Sequence, residues 1–335
     1  MSMLSRVADG MYWIGRYMER AEHSCRLLSI GLDCANEAGR AQAGGAAARA
    51  IMAVSFAPVD VAQALWHAEE LTFGRVEANS VLYALGAARE NARQIRDQIS
   101  SETWETLNRL HLRVGRADAL EVWRREPARF YERAISDCRL FDGFMDTTMS
   151  HGEGWRWLKL GRHIERAQLM SRLIELHLAP GAGAPGVGMA GVGLAGIGEQ
   201  AAVAPAIDEY ARIVLLRLSC ALEPFLRAYT SDFKQELVAE FLVFDPDFPR
   251  SVRFAARAID EHVRHVGRGA PEVRVASCLK RAGRLRARLD YGSVEDVLAR
   301  DGHAFLAAIA ADCAAINDAV GETFVRYPLE ERLPA

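Results

Sequence analysis

A chain of 335 residues, 50% of them hydrophobic, is long enough to bury a sizeable core, and length alone suggests about two domains of roughly 150 residues each. Its 41 Lys and Arg against 44 Asp and Glu leave a formal charge of −3, so no chain-wide basic field holds nucleic acid, and any anion site has to be local. The six cysteines, Cys25, Cys34, Cys138, Cys220, Cys278 and Cys313, form no C-x-x-C pair and lack the density of a secreted disulfide scaffold, so they read as core thiols of a reducing compartment.

Apolar residues recur at three- and four-residue spacing throughout, and no run of alternating β-branched residues interrupts them, which predicts an all-α fold. In chain order the pattern predicts helices over 5–36, 59–72, 79–100, 102–115, 117–149 with a break near Pro127, and 154–178. After these come 206–229 with a bend at Pro224, 231–242, 250–267, 271–290 and 302–325. Asn79-Ser80 before Val81-Leu82-Tyr83 gives one of these helices a start, because short polar side chains accept from first-turn amides. Residues 176–198 contain no charged side chain, yet eight of the eighteen residues from Gly181 to Gly198 are glycine. Each costs about 1 kcal/mol in a helix relative to alanine, which predicts a flexible loop rather than a membrane span. The first residues, Met1 to Asp9, lack the long apolar core of a secretion signal, and the expected location is cytoplasmic.

Two parts of the chain resemble each other. Gly15-Arg16-Tyr17-Met18-Glu19-Arg20-Ala21 recurs as Gly161-Arg162-His163-Ile164-Glu165-Arg166-Ala167, and the match runs on through Arg26-Leu27-Leu28 against Arg172-Leu173-Ile174. A second match pairs Phe73, Ser80, Val81, Tyr83, Glu90 and Arg93 with Phe244, Ser251, Val252, Phe254, Glu261 and Arg264 at a longer interval. The difference between the intervals is close to the length of the glycine-rich segment between Pro180 and Pro205. The expectation is a bundle of two diverged helical halves, 1–150 and 151–335, forming one compact unit with an extra loop at about 180–205 in the second. Such copies usually pack about a pseudo-twofold axis, with corresponding first helices together.

On a helix, Arg16, Glu19, Arg20 and His23 form one polar stripe beside Tyr12 and Trp13, and Arg162, Glu165 and Arg166 repeat it beside Trp155 and Trp157. A carboxylate between two guanidiniums stays ionised, and the second arginine can receive a phosphate or carboxylate through paired N–H donors. The other reading is a fastener: mid-helix Gly15 and Gly161 suggest close approach of two helices, which an Arg–Glu pair would lock. A second cluster, Arg89, Glu90, Asn91, Arg93 and Arg96 with Glu102, Trp104 and Asn108, reads either as a solvated face or as a partner surface. In Phe244-Asp-Pro-Asp-Phe-Pro-Arg-Ser251, Ser251 can cap a helix and Arg250 can hold an anion near its amino terminus.

None of the nine histidines has a glutamate three residues before it, as helical di-iron sites do, and Glu261-His262-Val-Arg-His265 is not the order of zinc peptidases. No metal or cofactor is expected. No G-x-S-x-G elbow or phosphate-binding Gly-Lys-Ser/Thr loop is present, and no cysteine sits in a nucleophile motif.

Residues 3–22, Met-Leu-Ser-Arg-Val-Ala-Asp-Gly-Met-Tyr-Trp-Ile-Gly-Arg-Tyr-Met-Glu-Arg-Ala-Glu, resemble the bacterial alpha-E family, together with Ala88-Arg-Glu-Asn-Ala-Arg93, Trp104-Glu-Thr-Leu-Asn108 and Leu158-Lys-Leu-Gly-Arg-His-Ile-Glu-Arg-Ala167. The family is named for an α-helical domain with a Glu-Arg motif and is a domain of unknown function. The resemblance places that motif on Glu19-Arg20 and Glu165-Arg166, with Arg89-Glu90-Asn91 as a further signature. Two departures stand out: Glu77-Ala-Asn-Ser80, where the family tends to an Asn-Pro-Ser-like turn, and the composition of the insertion after Leu178. The family is typically encoded beside, or fused to, a circularly permuted ATP-grasp protein and a transglutaminase-like cysteine peptidase. That context implies a helical accessory of a peptide or amide ligase system that binds a partner or an anionic ligand. An amide-transfer enzyme with Glu19 or Glu165 as general base is the alternative, although a glutamate pinned between arginines is a poor base. A scaffold without any small ligand is the third reading.

Overall fold

In a computed structural model of the chain, the described residues are 3–37, 41–75, 79–178, 209–230, 232–269, 272–299 and 302–325. The glycine-rich segment and part of the Glu77–Ser80 turn lie outside them. Among the described residues the fold is all-α with no strand. The helices are α1 Ser5–Asn36, α2 Ala41–Ser55, α3 Ala64–Phe73, α4 Val81–Gln94, α5 Ser101–Val114, α6 Ala119–Arg125, α7 Pro127–Thr148 and α8 Glu153–Leu178. They continue as α9 Glu209–Leu218, α10 Leu222–Tyr229, α11 Gln235–Ala239, α12 Val252–Val266, α13 Glu272–Tyr291, α14 Val294–Leu298 and α15 Gly302–Val320.

Four helices, α1, α4, α5 and α7, close a ring in which each packs on the next, and α8, α12, α13 and α15 close a second ring in the same order of contacts. The rings join through α1 and α8, which make the most extensive helix pair of the fold. Both of these helices are therefore buried almost all round, and their polar residues have to find partners inside the protein. The starts of α4 and α12 also correspond. Ser80 Oγ accepts from Tyr83 N at 3.1 Å and donates to the Gly74 carbonyl, while Ser251 Oγ accepts from Phe254 N at 3.0 Å and donates to the Asp245 carbonyl at 2.5 Å.

Several boundaries differ from the sequence expectation. Helix α2 was not expected; its Gly44-Gly45 pair lowers helix propensity, but Ala46, Ala47, Ala50 and Ile51 are buried, and Gly31 of α1 lies against Ala50 and Ile51. The bend expected at Pro224 falls earlier, at Ser219-Cys220-Ala221, where Cys220 has φ 53°; Pro224 sits in the first turn of α10, where its missing N–H is not needed. The expected helix over 231–242 is instead short α11 followed by one π-helical turn, Glu240–Phe244. By length and composition one described stretch, Gly302–Phe324, could cross a membrane. In this fold Leu306, Ile309, Cys313 and Ile316 of that stretch are buried in the second ring.

Candidate functional site

The crossing of α1 and α8 is built on two glycines. A Cβ added to Gly15 would stand 2.0 Å from the Leu158 carbonyl oxygen, and one added to Gly161 would stand 2.0 Å from the Tyr12 carbonyl oxygen. Each glycine thus meets the opposite backbone three residues before the opposite glycine, and no other residue fits there. Backbones this close bring side chains one and two turns along into reach of the partner helix.

Those side chains are the expected arginines and glutamates. Arg16 Nε donates to Glu165 Oε2 at 2.6 Å and Arg20 Nε to Glu165 Oε1 at 2.6 Å. In the reverse direction, Arg166 donates through Nε and Nη2 to the two oxygens of Glu19 at 2.8 and 2.7 Å, with Arg162 Nε 4.0 Å from Glu19 Oε2. The glutamate side chains are 2% and 3% exposed. Arg16 also donates to Asn317 Oδ1 at 2.5 Å and Gln168 Oε1 at 2.6 Å, and its guanidinium lies 5.4 Å from the Trp13 ring centre. Arg162 donates to Asp142 of α7, and Arg166 Nη1 to the Pro249 carbonyl at 3.0 Å.

Arg250, in the turn before α12, joins the lattice from the side. Its Nη2 donates to Glu22 Oε2 at 2.7 Å and its Nη1 lies 3.5 Å from Glu19 Oε1; Glu22 also accepts from Arg26. Glu22, Asp142, Asn317 and Gln168 were not among the expected site residues. Glu22 carries a signal in its four-residue spacing from Arg26 on α1. Asp142 and Asn317 are far away in sequence and carry none.

Burial alone would raise these carboxyls, and the guanidiniums overcome it. Glu19 is held well below the usual carboxylate range by Arg166, Arg250 and Arg162, Glu165 is lowered by Arg16 and Arg20, and Glu22 falls to about 2 beside Arg26 and Arg250. Burial among other cations lowers Arg162 to about 10, still charged at neutral pH. His23, fully buried, falls to about 3 because burial opposes its charged form. A carboxylate this acidic holds its proton too weakly to serve as a general base near neutrality.

The second expected cluster lies elsewhere. Arg93 pairs with Glu90 at 2.7 Å, with side chains 59% and 47% exposed, Arg89 donates to Asn108 at 2.6 Å, and Asn91 donates to the Ala87 carbonyl. Arg89 and Arg96 both lie over Trp104. None of these bonds reaches α1 or α8. Glu261 and Arg264 do not pair as Glu90 and Arg93 do: Glu261 accepts from Arg156, and Arg264 donates to buried Asp260. His262 is buried, stacked on His163 with ring centres 5.8 Å apart. Among the described residues no group of three or more His, Cys, Asp or Glu could hold a metal.

A cavity of about 200 Å³ opens beside the lattice, between α1, α2, α8 and α15. Arg20, His23, Glu165, Gln168, Arg172 and Glu175 form its polar wall, with Asn79 at its edge.

Residues 3–325 match the family Alpha-E, described as "a predicted alpha-helical domain with a conserved ER motif". Uncharacterized proteins of Mycobacterium tuberculosis and Mycobacterium bovis are 24% identical over 289 residues. The match takes in 74% of this chain and 28% of the length of those relatives. No solved structure matches the chain.

Proposed function

The chain belongs to the Alpha-E family, and from that premise we propose that it is a helical accessory protein, binding rather than making bonds, of an ATP-grasp-dependent peptide or amide ligase system. The observation that carries the non-catalytic part is the state of the two candidate bases. Glu19 and Glu165 are buried, each is held by two or more guanidiniums, and both carboxyls are lowered. In this reading the Glu-Arg motifs fasten α1 to α8, and recognition belongs to a surface away from the crossing. Amide transfer through Glu19 or Glu165 gains no support from such carboxylates.

The ligase context is the one the family resemblance implies, with an ATP-grasp protein as first partner, a transglutaminase-like peptidase as second, and a cytoplasmic location. The face that fits a partner is Arg89, Glu90 and Arg93 with Trp104, because among the described residues its charges pair only with neighbours on α4 and α5. We further infer that residues 1–150 and 151–335 are diverged copies of one unit. Reciprocal glycine contacts, reciprocal ion pairs, matching serine caps and the common order of contacts in the two rings support this.

The test is gentle purification of the tagged protein from its native host, with mass spectrometry of whatever accompanies it. An ATP-grasp protein should be recovered, and should be lost from an Arg93→Glu variant whose melting temperature is unchanged. Recovery of this chain alone would overturn the accessory reading and leave the scaffold reading in its place.

A further inference from the structure

The cavity beside the lattice has an origin that the paired motifs make visible. Arg250 directly precedes the cap Ser251, and Asn79 directly precedes the cap Ser80. From its turn Arg250 reaches Glu19 and Glu22 of α1 and fills the space between them. In the matched segments Glu19 and Glu22 correspond to Glu165 and Gln168 of α8, and the cavity is lined by those two residues and Asn79. The shorter Asn79 leaves open what the Arg250 guanidinium occupies on the other side.

The open space is not indifferent in its chemistry. Glu165 is answered twice, by Arg16 and Arg20, so this end of the lattice carries more guanidinium than carboxylate. Glu175 is shared by Arg172, at 3.5 Å, and His303. Several polar atoms on the wall have no hydrogen bond among the described residues: the Nε of Arg172 and the Nε2 of His23 are both buried and unpartnered, and the Gln168 amide, accepting from Arg16 through its oxygen, leaves its nitrogen unused. A buried donor without a partner, such as the Nε of Arg172, carries a desolvation cost that a bound acceptor removes. Ala53, Val54, Phe56, Leu169 and Ala310 supply the apolar part of the wall, and Ser24 adds a hydroxyl.

We propose that this cavity is a binding site for a small monocarboxylate with a short apolar body, its carboxylate received by Arg172 and Gln168 and its body lying against Val54, Phe56 and Leu169. The volume of about 200 Å³ suits an aromatic or short aliphatic acid, since an apolar cavity of about 150 Å³ accepts benzene. The site needs no protein partner, so the proposal stands or falls separately from the ligase-accessory reading.

Titration calorimetry on the full chain tests it, with benzoate as probe, benzamide as its uncharged counterpart and hippurate as the same ring and carboxylate joined through an amide. Benzoate is expected to bind saturably with Kd of about 1 mM or tighter, and benzamide at least about tenfold more weakly, as expected for loss of a charge-assisted hydrogen bond. Arg172→Gln should weaken benzoate by a similar factor. Asn79→Arg with Gln168→Glu rebuilds the Arg250–Glu22 pair on this side, closes the cavity and should abolish binding. If the double variant fails to fold, the Arg172→Gln protein decides the matter, because that side chain is 28% exposed and among the described residues holds only one long ion pair. No saturable benzoate binding, equal binding of benzamide, or benzoate affinity unchanged in the folded variants would each overturn the proposal. Hippurate binding tighter than benzoate assigns the site to a peptide end and weaker binding assigns it to a free acid; both uphold a carboxylate site.

Discussion

Replacing Glu19 by Gln tests the fastener directly. The glutamine keeps the shape and one acceptor but removes the charge that Arg166 holds at 2.7 and 2.8 Å and that Arg250 and Arg162 face at 3.5 and 4.0 Å. Among the described residues, three buried guanidiniums would then be left with Asp142 and with Glu22, which Arg26 already holds. Leaving a buried charge without its partner costs about 3–5 kcal/mol. For a chain of this size roughly 2 °C accompanies each kcal/mol, so the melting temperature should fall by about 6–10 °C. Thermal unfolding followed by far-ultraviolet circular dichroism reads this, with Glu90→Gln as the control at an exposed pair worth no more than about 0.5 kcal/mol. Adding Arg166→Met to Glu19→Gln should restore part of the loss, because it removes one stranded charge, and the non-additivity measures the coupling. A loss below about 1 kcal/mol in Glu19→Gln, with or without a change in ligand binding, would refute the fastener.

The remaining predictions concern the crossing and its titrating groups. Gly15→Ala and Gly161→Ala each drive a methyl into a carbonyl oxygen 2.0 Å away, so each should cost about 3 kcal/mol or more by urea unfolding. Gly143→Ala, in exposed mid-helix with nothing within 4 Å, should instead stabilise by about 0.5–1 kcal/mol. Acid should act early: His23 and His177 fall to about 3 and His262 to about 4, and His163 lies well below 6.5, all first through burial. The unfolded chain takes up these protons near 6.5 and the folded one does not, so stability is full above that pH and declines below it by up to about 1.4 kcal/mol per unit per histidine. Glu22, lowered to about 2, adds a second loss that starts only below about 4.5. A melting temperature unchanged between about pH 7 and pH 5 would sink the histidine argument.

Much of the frame was legible because it depends on local periodicity. The expected bounds of α1 coincide with those observed, and α8 differs by one residue at its start. Mid-helix glycine at 15 and 161 carried the close approach, since glycine is tolerated there only when something takes the place of its side chain. Helix α2 was missed for a complementary reason: its glycine pair argues against a helix locally, and only burial of its alanines against α1 outweighs that. The break at Ser219-Cys220-Ala221 has no proline or glycine to announce it, whereas Pro224 announces a break that its place in a first turn makes unnecessary.

The site was legible only as far as each motif pointed at its own copy. That Glu19 and Glu165 each need arginines follows from helical spacing, but the arginines come from the opposite helix, and spacing within one helix does not reveal that exchange. The contrast of Arg250 with Asn79, and of Glu22 with Gln168, is also present in the sequence, where two charged residues on one side correspond to two amides on the other. It acquires meaning only once the residue before each serine cap is known to face the motif glutamate of the adjoining helix. On one side that residue completes a buried ion-pair lattice; on the other it stops short and leaves unpaired donors around an open volume. On the proposed reading the motif is purely structural at Glu19, whereas at Glu165, where Asn79 and Gln168 stand in place of a guanidinium and a carboxylate, it both fastens the helices and borders a place for a ligand.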